Sequence, residues 1–155
     1  MAEKKILIVD YEKNSIETLK TLFLPFNLQV ITASDGQSAY EKFSKEKPDL
    51  ILLEPMIPKL HGFELVKKIR EGSEGEIPII IVTAVYKGSQ HRNEATKSLG
   101  VVEYFEKPYD DEALLNAALN IIHDEVPIEE DLPNPEDIIK TLSDLADSLP
   151  EKDKI

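Results

Sequence analysis

The stretch DLILLE (residues 49–54) places four consecutive aliphatic residues in front of a single acid, Glu54. Three further stretches are also rich in apolar residues. They end on an acid, a hydroxyl or an amine: KKILIVD (4–10), PIIIVT (78–83) and VVEYFEK (101–107). Short aliphatic runs bounded by charged or turn residues are typical of strands that are buried on both faces, as in a parallel sheet. The sequence therefore predicts a parallel sheet in which four strands each end on one polar residue.

Between these runs, apolar residues recur at the three- and four-residue spacing of a helix. The sets with this spacing are Ile16, Leu19, Phe23 and Phe26; Ala39, Tyr40 and Phe43; Phe63, Val66 and Ile69; and Leu114, Ala117, Ala118, Ile121 and Ile122. With a weaker strand at QVIT (residues 29–32), strands and helices alternate along the chain. Right-handed crossovers bring the carboxyl ends of such strands to one edge of the sheet, where we expect Asp10, Glu54, Thr83 and Lys107 to converge.

Length and composition fit one compact domain with an appendage. A chain of 155 residues with 41% hydrophobic residues can build a single core. The absence of cysteine excludes disulfides and thiol chemistry. No segment approaches the roughly 18 apolar residues of a membrane span, and the charged start MAEKK lacks the apolar core of a signal peptide. We expect a cytoplasmic protein with no membrane partner.

The net charge of -12 is concentrated towards the C-terminus. Residues 124–155 hold 11 acidic residues and three lysines. No basic face is evident that would neutralise phosphates, so we do not expect this chain to bind nucleic acid directly.

The sequence divides into three parts: a domain over residues 1–123, an acidic proline-rich linker over 124–134, and a short amphipathic helix and tail over 135–155. Asn134 and Pro135 suit the start of a helix. Apolar residues then follow at spacings of four, three and four: Ile138, Leu142, Leu145 and Leu149. The apolar side of this helix would dock on the domain, on a second copy of the chain or on a downstream domain, and the residues leave the choice open.

The stretches ILIVDYE, KPDLILLEPMIPKLHGFEL, PIIIVTA and LGVVEYFEKPY, in this order and spacing, resemble the receiver domain of two-component response regulators. The resemblance covers about residues 4–123. It implies an α/β, flavodoxin-like (CheY-like) doubly wound parallel sheet of five strands in the order 2-1-3-4-5 with five helices, to which the tail adds an extra C-terminal helix. It also implies a signalling module and not an enzyme. In this family an aspartate at the end of the third strand accepts a phosphoryl group from a histidine kinase, assisted by magnesium.

Two of the three acidic positions in that family pattern are altered. Glu54 stands at the phosphoacceptor position, and Tyr11 stands where a second acid usually follows Asp10. A phenol is a poor magnesium ligand. Glutamate carries its carboxylate about 1.5 Å further than aspartate, and misplacement by about 1 Å can cost about a hundredfold in rate. We therefore expect the usual phosphorylation to be lost or severely impaired. The magnesium site should be weak or absent, with Asp10, Glu12 and the backbone oxygen of Met56 as its candidate ligands.

The resemblance also assigns a switch. The lysine matching Lys107 contacts the phosphoryl group, the hydroxyl matching Thr83 is drawn towards it, and the aromatic ring matching Tyr104 turns inward. A cis peptide before Pro108 would turn the lysine into the pocket. We expect Glu54 to pair with Lys107 and to imitate the phosphorylated state in part.

These switch residues also have simpler interpretations. Thr83 would close a strand, Tyr104 would pack at the rim of the sheet, and Lys107 would form an ion pair with Asp10. The three histidines, His61, His91 and His123, have no metal-ligand spacing, and His61 with Gly62 is expected to begin a helix.

Partners are expected to be proteins: a histidine kinase or a downstream effector domain. A homodimer through residues 87–123 or through the C-terminal helix is a further expectation. Two other functions stay open. One is a receiver with true but impaired phosphotransfer to Glu54 or a neighbour. The other is a small phosphohydrolase of the haloacid dehalogenase type with Asp10 as nucleophile and Glu12 as general acid, for which the chain is short.

Overall fold

The computed structural model describes residues 4–72 and 76–124 of the chain. The compact unit that holds the described elements ends at Asp124. The predicted linker beyond Asp124 and the predicted helix and tail at residues 135–155 lie outside the described residues.

Over residues 4–72 and 76–124, five strands alternate with five α-helices. The strands are β1 (Lys5–Val9), β2 (Gln29–Ala33), β3 (Leu50–Leu53), β4 (Ile79–Thr83) and β5 (Glu103–Glu106). The helices are α1 (Lys13–Phe23), α2 (Gly36–Glu46), α3 (Gly62–Arg70), α4 (Ser89–Ser98) and α5 (Asp111–Asp124).

The strands form one parallel sheet in the order β2-β1-β3-β4-β5, which confirms the predicted α/β fold. The register aligns the carboxyl ends of neighbouring strands. Val9 lies beside Ala33 and Leu53, and Thr83 lies beside Glu106. The polar residues that follow these strands therefore meet at one edge of the sheet, as expected from the sequence.

Helices cover both faces of the sheet, because the aliphatic runs of the central strands place apolar side chains on each face. All four residues of β3 are buried: Leu50 and Leu52 pack with α1 and α5, and Ile51 and Leu53 pack with α2, α3 and α4. Burying one such side chain stabilises the fold by about 1.5 to 3 kcal/mol. The two apolar layers fix the position of the strands and so of the residues at their ends.

The first helix is shorter than the apolar spacing predicts. α1 ends at Phe23, and Phe26 lies in a 3-10 turn (Leu24–Phe26) with 39% of its surface exposed. Pro25 in this turn has no N–H to continue the helical hydrogen bonds. Asn27 then takes a left-handed conformation with φ of 52° and leads the chain into β2. Placing Phe26 in the helix was wrong for this reason.

Candidate functional site

Three polar side chains at the carboxyl edge of the sheet are almost completely buried. Asp10, Glu54 and Thr83 are 1%, 1% and 0% exposed, respectively. Lys107 reaches this cluster from the end of β5. Its Nζ atom lies 2.6 Å from Asp10 Oδ2 and 3.9 Å from Glu54 Oε1. The four residues named from the sequence are thus brought to one place.

Lys107 favours Asp10 over Glu54. The expected pairing of Glu54 with Lys107 exists only as the longer of the two contacts, and the interpretation of Lys107 as a partner of Asp10 describes the shorter one. Lys107 Nζ also donates to Ser15 Oγ at 3.3 Å. The peptide between Lys107 and Pro108 is cis, as predicted. Ser15 was missed because a serine in the first turn of a helix gives no distinguishing pattern.

Both carboxylate oxygens of Glu54 are held by backbone N–H groups. Oε1 accepts from Ala84 at 2.8 Å, and Oε2 accepts from Met56 at 3.2 Å. The bond to Ala84 joins the end of β3 to the segment between β4 and α4. An aspartate is shorter by one methylene, about 1.5 Å, and would leave this N–H out of reach from the same backbone.

Both carboxylate oxygens of Asp10 have a hydrogen-bond partner. Its Oδ1 atom accepts from the backbone N–H of Glu12 at 2.9 Å, while Oδ2 faces Lys107. Such charge-assisted bonds are stronger than neutral ones, and they satisfy a carboxylate that has lost its water. No buried side-chain nitrogen or oxygen within the described ranges lacks a hydrogen-bond partner.

Thr83 and Tyr104 both act on the segment that follows β4. Thr83 Oγ1 accepts from the backbone N–H groups of Val85 and Tyr86, each at 3.0 Å. The Tyr104 ring is turned inward, with 5% of the residue exposed, and its hydroxyl donates to the carbonyl of Tyr86. Burial, with a further contribution from the charges of Glu106 and then Glu54, raises the pKa of Tyr104 to about 12.

The side chains around Asp10 fit a resident magnesium ion poorly. Tyr11 is 48% exposed, and Glu12 is also exposed, with its carboxylate accepting a hydrogen bond from Ser15 at 3.3 Å. Across residues 4–72 and 76–124, no three acidic or imidazole side chains are grouped as metal ligands. Glu54 already uses both oxygens, and an ammonium group lies against Asp10. A magnesium ion bound by several protein oxygens in octahedral geometry would require these contacts to be exchanged.

A cluster of aromatic rings lies beside the segment that follows β4. Tyr86 is surrounded by the rings of His61, Phe63 and His91, with centroids 5.4, 5.2 and 5.4 Å away. His61 begins α3, as predicted, and its Nδ1 accepts from the N–H of Phe63 while its Nε2 shares a 2.6 Å hydrogen bond with the Tyr86 hydroxyl. These residues belong to the start of α3, to the segment after β4 and to α4, so no spacing along the sequence could predict the cluster.

The family model described as the response regulator receiver domain matches residues 6–119. The chain belongs to this family. The receiver chain is 40% identical over 106 residues to the alkaline phosphatase synthesis transcriptional regulatory protein PhoP of Bacillus subtilis, covering 68% of this chain and 43% of that protein. It is 34% identical over 117 residues to the sporulation initiation phosphotransferase F of the same species, covering 76% of this chain and 92% of that protein.

Solved structures agree with the observed receiver fold. The Vibrio cholerae chemotaxis protein CheY4 superposes with a TM-score of 0.69 at 28% identity, covering 77% of this chain and 99% of that one. A CheY-like response regulator receiver domain protein from Methanospirillum hungatei superposes with a TM-score of 0.72 at 23% identity, covering 79% and 96%. The predicted family and sheet order are therefore confirmed.

The receiver chain spans less than half the length of several curated relatives. It covers 43% of PhoP and 42% and 45% of probable transcriptional regulators from Guillardia theta and Cyanophora paradoxa. The site described above lies within the shared region. None of the helices in the described part of the chain is both long and apolar enough to cross a membrane.

Proposed function

We propose that this receiver domain signals through protein contacts without the usual phosphorylation, and that Glu54 holds its switch in a fixed position. The observation that carries the proposal is the bond from Glu54 Oε1 to the N–H of Ala84. This bond ties the phosphoacceptor position to the segment after β4 through the carboxylate of Glu54 itself. The same segment carries the Tyr86 carbonyl, which accepts from the inward-turned Tyr104.

Glu54 imitates a phosphorylated side chain only in part, because it carries less negative charge and fewer acceptor oxygens. A phosphorylated side chain carries about -1.5 to -2 charge and three acceptor oxygens. Glu54 offers one carboxylate with two oxygens, and both are already used by Met56 and Ala84. We infer that Glu54 reproduces the attachment of the segment after β4 but not the full charge at the site.

The same contacts argue against phosphoryl transfer to Glu54. An attacking oxygen must be aligned with the phosphorus atom, and the negative charge of the transition state needs a metal ion or other cations. Here Lys107 is committed to Asp10, and the second acidic position holds the exposed Tyr11. We propose that magnesium binds weakly or not at all.

Intact mass spectrometry after incubation with acetyl phosphate and magnesium tests this proposal. The natural chain is expected to gain no phosphoryl group, whereas the double variant Tyr11→Asp/Glu54→Asp restores the family pattern and is expected to gain one. The single variant Glu54→Asp serves as the matched control for the acceptor alone. A magnesium-dependent adduct on Glu54 of the natural chain would instead establish the alternative, a receiver with slow but true phosphotransfer.

The partners of this receiver are proposed to be proteins. We propose a histidine kinase or a downstream effector as the partner class, with residues 87–123 as the contact face and as the face for any homodimer. We also propose that the chain is not an enzyme, because Glu12, which would have to serve as the general acid, is exposed and its carboxylate accepts a hydrogen bond from Ser15. Turnover of an aryl phosphate that disappears in Asp10→Asn would contradict this. A cytoplasmic location stays a prediction of the sequence.

A further inference from the structure

An open groove lies between α3 and α4, on a part of the receiver that shares no lining residue with the Glu54 cluster. Its volume is about 600 Å³, which is within the range of roughly 300 to 1,000 Å³ found for ligand pockets. The groove exists because α4 has small residues on the side that faces α3. Ala95 is the one buried residue of α4, and both Ala95 and Ser98 line the cavity.

Aromatic rings form one wall of this groove. His61, Phe63, Tyr86 and His91 all line it, and all four are half-buried. Within the protein core such rings would be covered on both sides. Here their packing is edge-on, with interplanar angles of 82°, 64° and 75° between Tyr86 and the other three rings. Rings that pack edge-on do not cover one another's full faces, and aromatic faces attract cations.

The rim of the groove carries acidic side chains. Glu64 and Glu94 line it together with one cation, Lys67, and all three are exposed. Glu94 has no ion pair with any described residue. Glu64 pairs with Lys67 at 3.6 Å, but both side chains are about 60% exposed, and an exposed pair of this kind contributes at most about 1 kcal/mol. A guanidinium group that binds a carboxylate with two parallel hydrogen bonds would compete with Lys67 for Glu64.

We propose that this groove binds an arginine side chain presented by a partner protein, with the aromatic wall receiving the planar guanidinium and the rim carboxylates pairing with its charge. Residues 1–123, which contain the groove, carry a net charge of -4, and a negative surface attracts positive segments before contact is made. The bound side chain would touch Tyr86, whose carbonyl holds Tyr104 inward. The proposal adds an interaction surface to the receiver and does not depend on the phosphorylation state of Glu54.

Amide NMR of the full 155-residue chain, titrated with N-acetyl-arginine amide, tests the proposal. We expect saturable shifts confined to the groove, at Phe63, Tyr86 and Glu94. N-acetyl-citrulline amide has nearly the same shape without the charge, and we expect it to bind at least about threefold more weakly.

Two variants test the rim carboxylate and the aromatic ring separately. Glu94→Gln is expected to weaken arginine binding about threefold, and Phe63→Leu, which keeps an apolar side chain but removes the ring, by a similar factor. Glu71→Gln removes the same charge from an exposed position that does not line the groove, and it should leave the affinity unchanged. Equal binding of arginine and citrulline, shifts spread over the whole acidic surface, or no saturable shift at all would overturn the proposal.

Discussion

Lys107 places its ammonium group against two carboxylates that are almost completely buried, those of Asp10 and Glu54. Removing the cation leaves both negative charges without a compensating partner, and breaking a buried pair in this way costs about 3 to 5 kcal/mol. We expect Lys107→Met to lower the free energy of unfolding by about 3 kcal/mol, measured by urea unfolding at neutral pH. Lys97→Met, at an exposed position near the end of α4, should change it by less than about 0.5 kcal/mol. A loss at Lys107 no larger than that of the control would mean that backbone N–H groups alone hold the carboxylates.

Tyr104 makes the stability of the fold sensitive to alkaline pH. Its pKa is raised from 10.0 to about 12 by burial and by the charge of Glu106. The phenol therefore ionises in the unfolded chain before it ionises in the folded one. Its contribution to stability is complete below pH 10 and is lost as the pH rises from 10 towards 12.

Urea unfolding at a series of alkaline pH values should display this loss in the natural chain. Tyr104→Phe should make the decline shallower, while lowering stability at neutral pH by about 1 kcal/mol through the lost bond to the Tyr86 carbonyl. Tyr11→Phe changes a ring that is 48% exposed and should leave the pH profile as it is. Identical profiles for all three proteins would contradict the assignment to Tyr104. Tyr109, whose pKa is also raised to about 12, contributes in each of them.

At the scale of elements, the start of α2 fixes the segment between Glu54 and α3. The N–H of Gly36 donates to the carbonyl of Pro58, and a Cβ atom on Gly36 would lie 1.9 Å from the carbonyl oxygen of Leu60. Gly36→Ala must push this backbone away, and we expect a loss of about 2 kcal/mol or more in unfolding free energy. At Gly72 the nearest atom to an added Cβ is 3.5 Å away, so Gly72→Ala should be neutral within about 0.5 kcal/mol. A neutral Gly36→Ala would indicate that the segment shifts freely.

The central strands β1, β3 and β4 could be predicted from the sequence because their aliphatic runs indicate burial on both faces. Every residue of β3 and of β4 is buried, in agreement with this. In β5, at the edge of the sheet, only Tyr104 is buried, so the expectation of burial on both faces was wrong for that strand. α4 could not be outlined in the same way. Ala95 is its one buried residue, so the helix has no apolar stripe to recognise. The order of the strands came from the family resemblance, since periodicity contains no information on which strands are neighbours.

The candidate site was predicted as a set of residues, but its bonding pattern was not. Strand ends at one edge made the meeting of Asp10, Glu54 and Lys107 predictable. Which carboxylate the lysine prefers depends on distances of about 1 Å between side chains, and these follow from packing and not from spacing. The backbone N–H of Ala84 and the hydroxyl of Ser15 were missed for the same reason.

At the scale of the whole molecule, the segment after β4 connects the buried charges to the surface. Glu54 holds it at Ala84, Thr83 holds it at Val85, and Glu106 accepts from the N–H of Gly88 at 2.8 Å. These bonds come from the ends of three strands, and the segment that they hold includes Tyr86, which lines the groove.

The described elements lie within a unit that ends at Asp124, and the match to the receiver family ends at residue 119. Within the described residues, the hydrophobic layer between the sheet and helices α1 and α5 extends to Ile122 in α5. We therefore expect a chain of residues 1–124 to fold by itself with an unfolding free energy within about 0.5 kcal/mol of the full protein, measured by urea unfolding. The mass of both proteins in solution should be measured on the same samples. An unchanged oligomeric state would exclude the predicted helix at residues 135–155 as a dimer contact and leave residues 87–123 as the candidate face. Loss of cooperative unfolding in the shorter chain would mean that the acidic tail is required to complete the fold.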